Sequence, residues 1–217
     1  MNILLVAATQ PEIQPLLDYF GDEKPFDVLI TGVGMVATAF ALGNHFAQNK
    51  YDLVINLGIA GSFDRSLVLG EVVEVEEDIL SELGAEDGNG FLTIEDLGFG
   101  ESRFRPIGTM LFLPVKKVRG ITVNTVHGDE NSIRKITKRL QPQLESMEGA
   151  AFFYACKNSM VPSVQIRSVS NYVEKRSREN WKIGLAVKNL NDFAIGLLKK
   201  LSLLRCHLDH GGNFHST

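Results

Sequence analysis

The chain has 217 residues, 44% of them hydrophobic and 22% charged, an ordinary globular balance that suits one domain with a sizeable core. Its formal net charge is −4 and its sequence pI is about 5.8, a mild acidic excess that argues against nucleic acid or an anionic membrane as the main partner. It holds no apolar run of about 18 residues or more, so no transmembrane span is expected.

Residues 2–8 (NILLVAA) are short, continuous and rich in strand formers, without the basic leader of a secretory signal. Residues 27–31 and 53–57 have the same character. Unbroken apolar strands belong to parallel sheets covered by helices on both faces. Glu12–Phe20 and Val36–Gln48 lie between them with helical spacing. This βαβαβ opening predicts a right-handed, mostly parallel sheet. Residues 71–76 (EVVEVE) alternate, which predicts a half-exposed strand. Residues 84–106 show no period and read as a long loop. Residues 121–127 read as a strand, 130–140 as a helix, Gly149–Lys157 as a helix of small and aromatic residues, and Pro162–Val169 as a buried strand. Ala186, Leu190, Phe193, Ala194, Leu197, Leu198, Leu201 and Leu204 recur at i, i+3, i+4 spacing, the pattern of an amphipathic helix closing the core. One domain over 1–209 is expected, followed by a flexible polar tail over 210–217.

The two cysteines, Cys156 and Cys206, are far apart and suit inert core thiols in a reducing cytoplasm. His207 and His210 form a weak H-x-x-H with no acid or cysteine cluster beside it, so no metal site is expected. His45 reads as structural, and His127, beside Gly128 and Asp129, stays ambiguous.

Five segments could carry chemistry. Gly32-Val33-Gly34-Met35-Val36-Ala37 follows a strand and opens a helix, as in a dinucleotide fingerprint. The ribose-binding acid is missing, because Asp52 precedes its strand and Gly58 follows it. A tight turn that brings backbone close to a ligand is the better reading. Gly58-Ile59-Ala60-Gly61-Ser62 ends a buried strand, where α/β proteins bind ligands; a plain strand-to-loop turn is the alternative. Glu12 is either a site carboxylate or a helix-start charge favoured by the dipole. Glu148 lies among small and apolar residues and needs a partner, structural or otherwise. Ile166-Arg167-Ser168-Val169-Ser170-Asn171 ends another strand in polar side chains.

In this order the segments resemble the nucleoside phosphorylase and nucleosidase superfamily, in its methylthioadenosine/S-adenosylhomocysteine nucleosidase branch. The resemblance spans nearly the whole chain. Met147-Glu148-Gly149-Ala150-Ala151 and the Arg167–Asn171 segment carry it best; the glycine turns are less specific. It implies a three-layer α/β/α sandwich with a mixed sheet that curls into a partial barrel. Glu148 would hold the ribose hydroxyls with Met147 packed on the sugar. Glu12 would be the general base, with Arg167 ordering the water and Ile59, Ala60 and Gly61 lining the ribose and water side. One position departs. Adenine-specific nucleosidases carry Asp where this chain has Asn171, and here the chain looks like the futalosine hydrolases, which release hypoxanthine in an alternative menaquinone route.

The implied reaction is hydrolysis of a purine nucleoside with no metal or organic cofactor. Glu148 would favour positive charge on the sugar, and base catalysis by Glu12 would contribute about 10²- to 10⁴-fold. Asn171 would serve the purine edge, because an amide can donate to a 6-oxo group that an ionised carboxylate would repel. Phosphorolysis is disfavoured, since the first arginine is Arg65 and the early segment offers a carboxylate. An adenine-type nucleosidase, a phosphorylase and a catalytically silent nucleoside binder remain the alternatives. An anionic aromatic 5′ group would need apolar surface and a cation, which Phe91, Phe99, Phe104, Arg103, Arg105, Lys175 and Arg176 could supply. By analogy with the family, a cytoplasmic homo-oligomer, a dimer or larger, is expected.

Overall fold

The computed structural model describes residues 1–88, 90–108 and 111–210, with side chains described through 203. Of the tail expected over 210–217, residues 211–217 lie outside the described residues, as do the side chains of Leu204, Cys206, His207 and His210.

The opening is the expected one. Strands β1 (Ile3–Ala7), β2 (Asp27–Ile30) and β3 (Leu53–Ser62) alternate with helices α1 (Gln10–Phe20) and α2 (Met35–Phe46). Both β2 and β3 pair with β1 in parallel. Successive β1 residues feed opposite cores, Leu4 and Val6 one and Ile3, Leu5 and Ala7 the other. A strand covered on both faces has no wet side and therefore no period of two.

After β4 (Val72–Leu80) come a hairpin, β5 (Gly84–Asp87) and β6 (Gly90–Thr93), then the short β7 (Arg103–Phe104) and β8 (Lys116–Thr122). Helix α3 (Glu130–Leu140), β9 (Leu144–Ser146), α4 (Gly149–Asn158), β10 (Ser163–Tyr172) and the long α5 (Ile183–His210) complete the chain. The main sheet runs β10-β4-β8-β9-β3-β1-β2, and β10 also pairs with β3. That last pairing closes a ring of strands, with β1 and β2 extending from it. Helices α2 and α4 pack together on one face, around Leu42, Phe152 and Phe153. Helices α1 and α5 pack on the other, around Ile13, Leu16, Leu190 and Ala194. Ile136 of α3 caps a third cluster with Ile79, Ile121 and Val123. The architecture is thus the expected three-layer sandwich with a mixed, curled sheet. Among the described residues no helix is long and apolar enough to cross a membrane.

Three expectations need correction. The strand at 71–76 is not half exposed: it continues to Leu80, and Glu74, Glu77 and Asp78 are all buried. It lies between β10 and β8, and its register against β8 shifts between Val75 and Glu77. A bulge of this kind breaks simple alternation. The supposed loop at 84–106 contains β5, β6 and β7, and Phe104 lies in the main core. The strand placed at 121–127 starts earlier and ends at Thr122, while β9 is too short for any periodic signal.

Asp78 is fully buried, and burial raises its pKa to about 6 against hydrogen bonds from Thr122 and Gln165 and the charge of Arg167. A raised carboxylate favours the fold at low pH. That contribution is fully present below about pH 4 and is lost as pH climbs through about 6. It amounts to a few kcal/mol at most, at about 1.4 kcal/mol per pKa unit. Asp78→Asn should therefore flatten the fall in stability across this window. Urea unfolding of both proteins from pH 4 to 7 checks this, and parallel curves would contradict it.

Candidate active site

β3 and β10 run side by side in parallel, with Arg167 opposite Gly58, Ser168 opposite Ile59 and Val169 opposite Ala60. The register then slips, and Asn171 stands opposite Gly61. A bulge next to a site re-aims the following side chain. Two segments more than a hundred residues apart in sequence thus meet at the carboxyl ends of adjacent strands, where open α/β sheets place ligands.

Arg167 is 2% exposed, and its Nε and Nη2 have no hydrogen-bond partner among the described residues. Burial pushes its pKa down, while the carboxylates of Glu148, Asp78 and Glu12 oppose that. Buried donors left without protein partners call for an explanation. Here both nitrogens are themselves buried, so only a group enclosed in the site can meet them.

Glu12 sits at the start of α1, as its helix-start reading has it, and also faces the end of β3. As the third residue of α1 it closes a capping box, one oxygen accepting from the Thr9 amide at 3.1 Å and the Thr9 hydroxyl at 2.9 Å. Its other oxygen accepts from the Ile59 amide at 3.2 Å. That oxygen would be 3.3 Å from a Cβ placed on Gly58, and Arg167 Nη1 would be only 2.7 Å from it. Glu12, Gly58, Ile59 and Arg167 are therefore one cluster.

Glu148 precedes α4 and spans two elements. One oxygen accepts from the Gly34 amide at 3.0 Å, the other from the Met147 amide at 3.3 Å. Gly34 has φ 98°, a conformation that favours glycine. The ligand of the Gly32-Val33-Gly34 turn is thus the protein's own carboxylate. Behind it, Thr122 Oγ1 donates to Asp78 at 2.8 Å and accepts from the Ala150 amide at 2.7 Å, while Gln165 donates to Asp78 at 3.1 Å. This network fixes the first turn of α4. A Cβ on Gly149 would come within 1.9 Å of Asp78, so the glycine of the Met-Glu-Gly segment is a packing requirement. The sequence reading missed this network; an acid inside a strand ending Asp-Ile-Leu was its only signal.

Asn171 accepts from Ser170 Oγ at 2.8 Å and donates from Nδ2 to its neighbour's carbonyl at 3.1 Å. With Gly61, His127, Lys175, Arg176 and Trp181 it lines a cavity. The other candidates for a 5′ group are placed elsewhere. Arg103 and Arg105 both pair with Glu77, Phe104 is core, and Phe91 lies under Arg139. Phe99 is exposed and lines no part of this cavity. Another cavity, bounded by Asn2, Lys24, Asp27 and Tyr51, contains none of the predicted site residues.

Gly58→Ala should displace the Arg167 guanidinium, because the new methyl would meet its Nη1 at 2.7 Å. Nucleoside turnover should fall by about a decade or more, a barrier increase of about 1.4 kcal/mol, with little change in far-UV circular dichroism. A variant with wild-type turnover would dissociate Arg167 from the site.

Comparison with known proteins places this geometry in context. A profile of the phosphorylase superfamily matches residues 19–201. Futalosine hydrolase of Thermus thermophilus is 32% identical over 174 residues, 76% of this chain and 77% of that one. Futalosine hydrolase of Streptomyces coelicolor is 33% identical over 184 residues, covering 80% and 78%. Among solved structures, futalosine hydrolase of Helicobacter pylori superposes with a TM-score of 0.77 at 14% identity, over 92% of this chain and 98% of that one, which shows a shared fold. The matched span takes in β2 through most of α5, including the strands that carry Gly58, Arg167 and Asn171, and the chain belongs to the phosphorylase superfamily.

Proposed function

We propose that this chain hydrolyses the N-glycosidic bond of a 6-oxopurine nucleoside, with futalosine as its substrate and hypoxanthine as the released base. The observation that carries the reading is the buried Arg167 guanidinium, with two nitrogens free of protein partners, beside Glu12 and Glu148. Relatives named futalosine hydrolase at 32% and 33% identity support it. Methylthioadenosine/S-adenosylhomocysteine nucleosidases match over 93% of the chain at lower identity, 27% and 26%.

In this reading Arg167 orders a water and Glu12 takes its proton as the oxygen closes on C1′. Glu148 accepts the ribose hydroxyls, and its charge favours the cationic sugar. Met147, Ile59, Ala60 and Gly61 form the sugar's surroundings. Asn171 offers an N–H to the purine edge, where the 6-oxo group accepts. Lys175 and Arg176, with Trp181 between them and α5, supply cation and aromatic surface for an anionic 5′ group.

Incubation with futalosine, inosine and methylthioadenosine, with and without phosphate, tests the reading. Hypoxanthine release independent of phosphate is expected. Glu12→Gln and Glu148→Gln should each lose more than about a decade of kcat, about 1.4 kcal/mol of barrier. Asn171→Asp should erode the preference for 6-oxopurines, since an unpaired polar group costs roughly 1–3 kcal/mol. A wild type that favours methylthioadenosine sinks the futalosine assignment.

The 5′ subsite has its own check. Lys175→Ala and Arg176→Ala should raise KM for futalosine several-fold and leave inosine unchanged; an equal effect on both substrates removes the subsite from these residues.

A further inference from the structure

Gly61 sits in the middle of three adjacent strands. It pairs in register with Asn171 of β10 on one side and Glu145 of β9 on the other. A Cβ there would stand 3.2 Å from Asn171 Nδ2 and 3.5 Å from Glu145 Cγ. The Glu145 carboxylate, 3% exposed, accepts the His127 amide at 3.1 Å and lies 2.7 Å from His127 Nδ1. A buried carboxylate at Nδ1 fixes that nitrogen as an N–H donor and sets the ring plane. The Phe63 ring, with its centroid 6.0 Å away, packs edge-on against the imidazole. Among the described residues nothing hydrogen-bonds Nε2, and His127 lines the cavity that Asn171 lines.

We propose that His127, oriented by Glu145, donates a proton to the purine as it leaves. The proposal rests on the N-glycosidic reading above. The O6/N7 edge of a 6-oxopurine presents two acceptors. Asn171 Nδ2 has two N–H bonds, and one already meets the Tyr172 carbonyl. The edge therefore needs a second donor, and an imidazolium Nε2–H from His127, on the same cavity as Asn171, supplies it. When the C1′–N9 bond breaks, its electron pair moves into the purine, and the Nε2 proton passes to N7. The water oxygen bonds to C1′ and its proton passes to Glu12. His127 is left neutral and hydrogen-bonded to Glu145, and exchange with solvent restores both groups. Glu145 is a positioning residue; His127 touches the reacting base.

A leaving group that needs no proton separates this role from a structural one. Inosine requires protonation of its base, whereas 4-nitrophenyl β-D-ribofuranoside and the cationic 7-methylinosine do not. His127→Gln should lose about 100-fold or more in kcat on inosine, the range of general acid catalysis, and stay within about threefold of wild type on the activated substrates. Glu145→Gln should show the same selectivity with a smaller loss. Equal losses on all substrates, or a His127→Gln enzyme within about tenfold of wild type on inosine, would overturn the proposal. A wild type that splits neither futalosine nor any of these nucleosides would overturn the N-glycosidic reading itself. An active wild type with an unselective His127→Gln enzyme overturns only the proton donor.

Discussion

The site depends on burying one guanidinium. An isolated charge in a dry interior is costly unless paired and hydrogen-bonded. Arg167 answers this constraint only in part, through the opposing charges of three carboxylates from three elements: Glu12 on α1, Asp78 on β4 and Glu148 ahead of α4, while its Nε and Nη2 hydrogen-bond to none of them. Each carboxylate is held in turn by something else, Glu12 by Thr9 and Ile59, Glu148 by Gly34 and Met147, Asp78 by Thr122 and Gln165. The charge cluster ties together both helical layers and the closed strand ring. A buried cluster of this kind is weak evidence for stability. Its geometry does leave two buried donors of one cation unsatisfied by protein, which a purely structural ion pair has no need of.

Space around that guanidinium comes from residues without side chains. Gly58 gives Arg167 its room, Gly61 lets Asn171 and Glu145 approach from either side, and Gly149 admits Asp78 against the start of α4. None of the three has a positive φ. Their glycine identity answers to close approach rather than to backbone strain. Gly34, at φ 98°, is the contrasting case, where the turn itself favours glycine.

This distinction explains what the sequence could and could not reveal. The β1-α1-β2-α2-β3 opening and α5 were legible because buried strands and amphipathic helices write their environment into local periodicity. Residues at strand ends were legible as a group because polar side chains and glycines interrupt apolar runs there. The Asp78 network was not. Its members lie on β4, β8 and β10, and they meet because β4, far from β8 and β10 in sequence, pairs with β8 on one side and β10 on the other. Nor does local pattern carry the bulge in β4, so its alternating acids suggested a wet face that does not exist. His127 stayed ambiguous for the same reason: Glu145, its partner, sits on a three-residue strand with no period to read. The capping role of Glu12 shows a further limit, since a helix-start carboxylate can also face a strand end, and sequence analysis sets those two readings against each other.

The same hydrogen bonds bear on which nucleophile the site can accept. Backbone amides at helix starts and glycine turns are the usual anion seats of α/β folds. Here the amides of Thr9, Ile59 and Gly34 already face carboxylates of the protein. A phosphate would have to displace Glu12 or Glu148 to use them. It would also enter a cluster in which one guanidinium is set against three carboxylates. Water brings no charge and can donate to Glu12 while accepting from Arg167. The arrangement therefore selects against an anionic nucleophile through its charge balance as much as through its shape, and it favours hydrolysis over phosphorolysis on a fold that the superfamily shares between both.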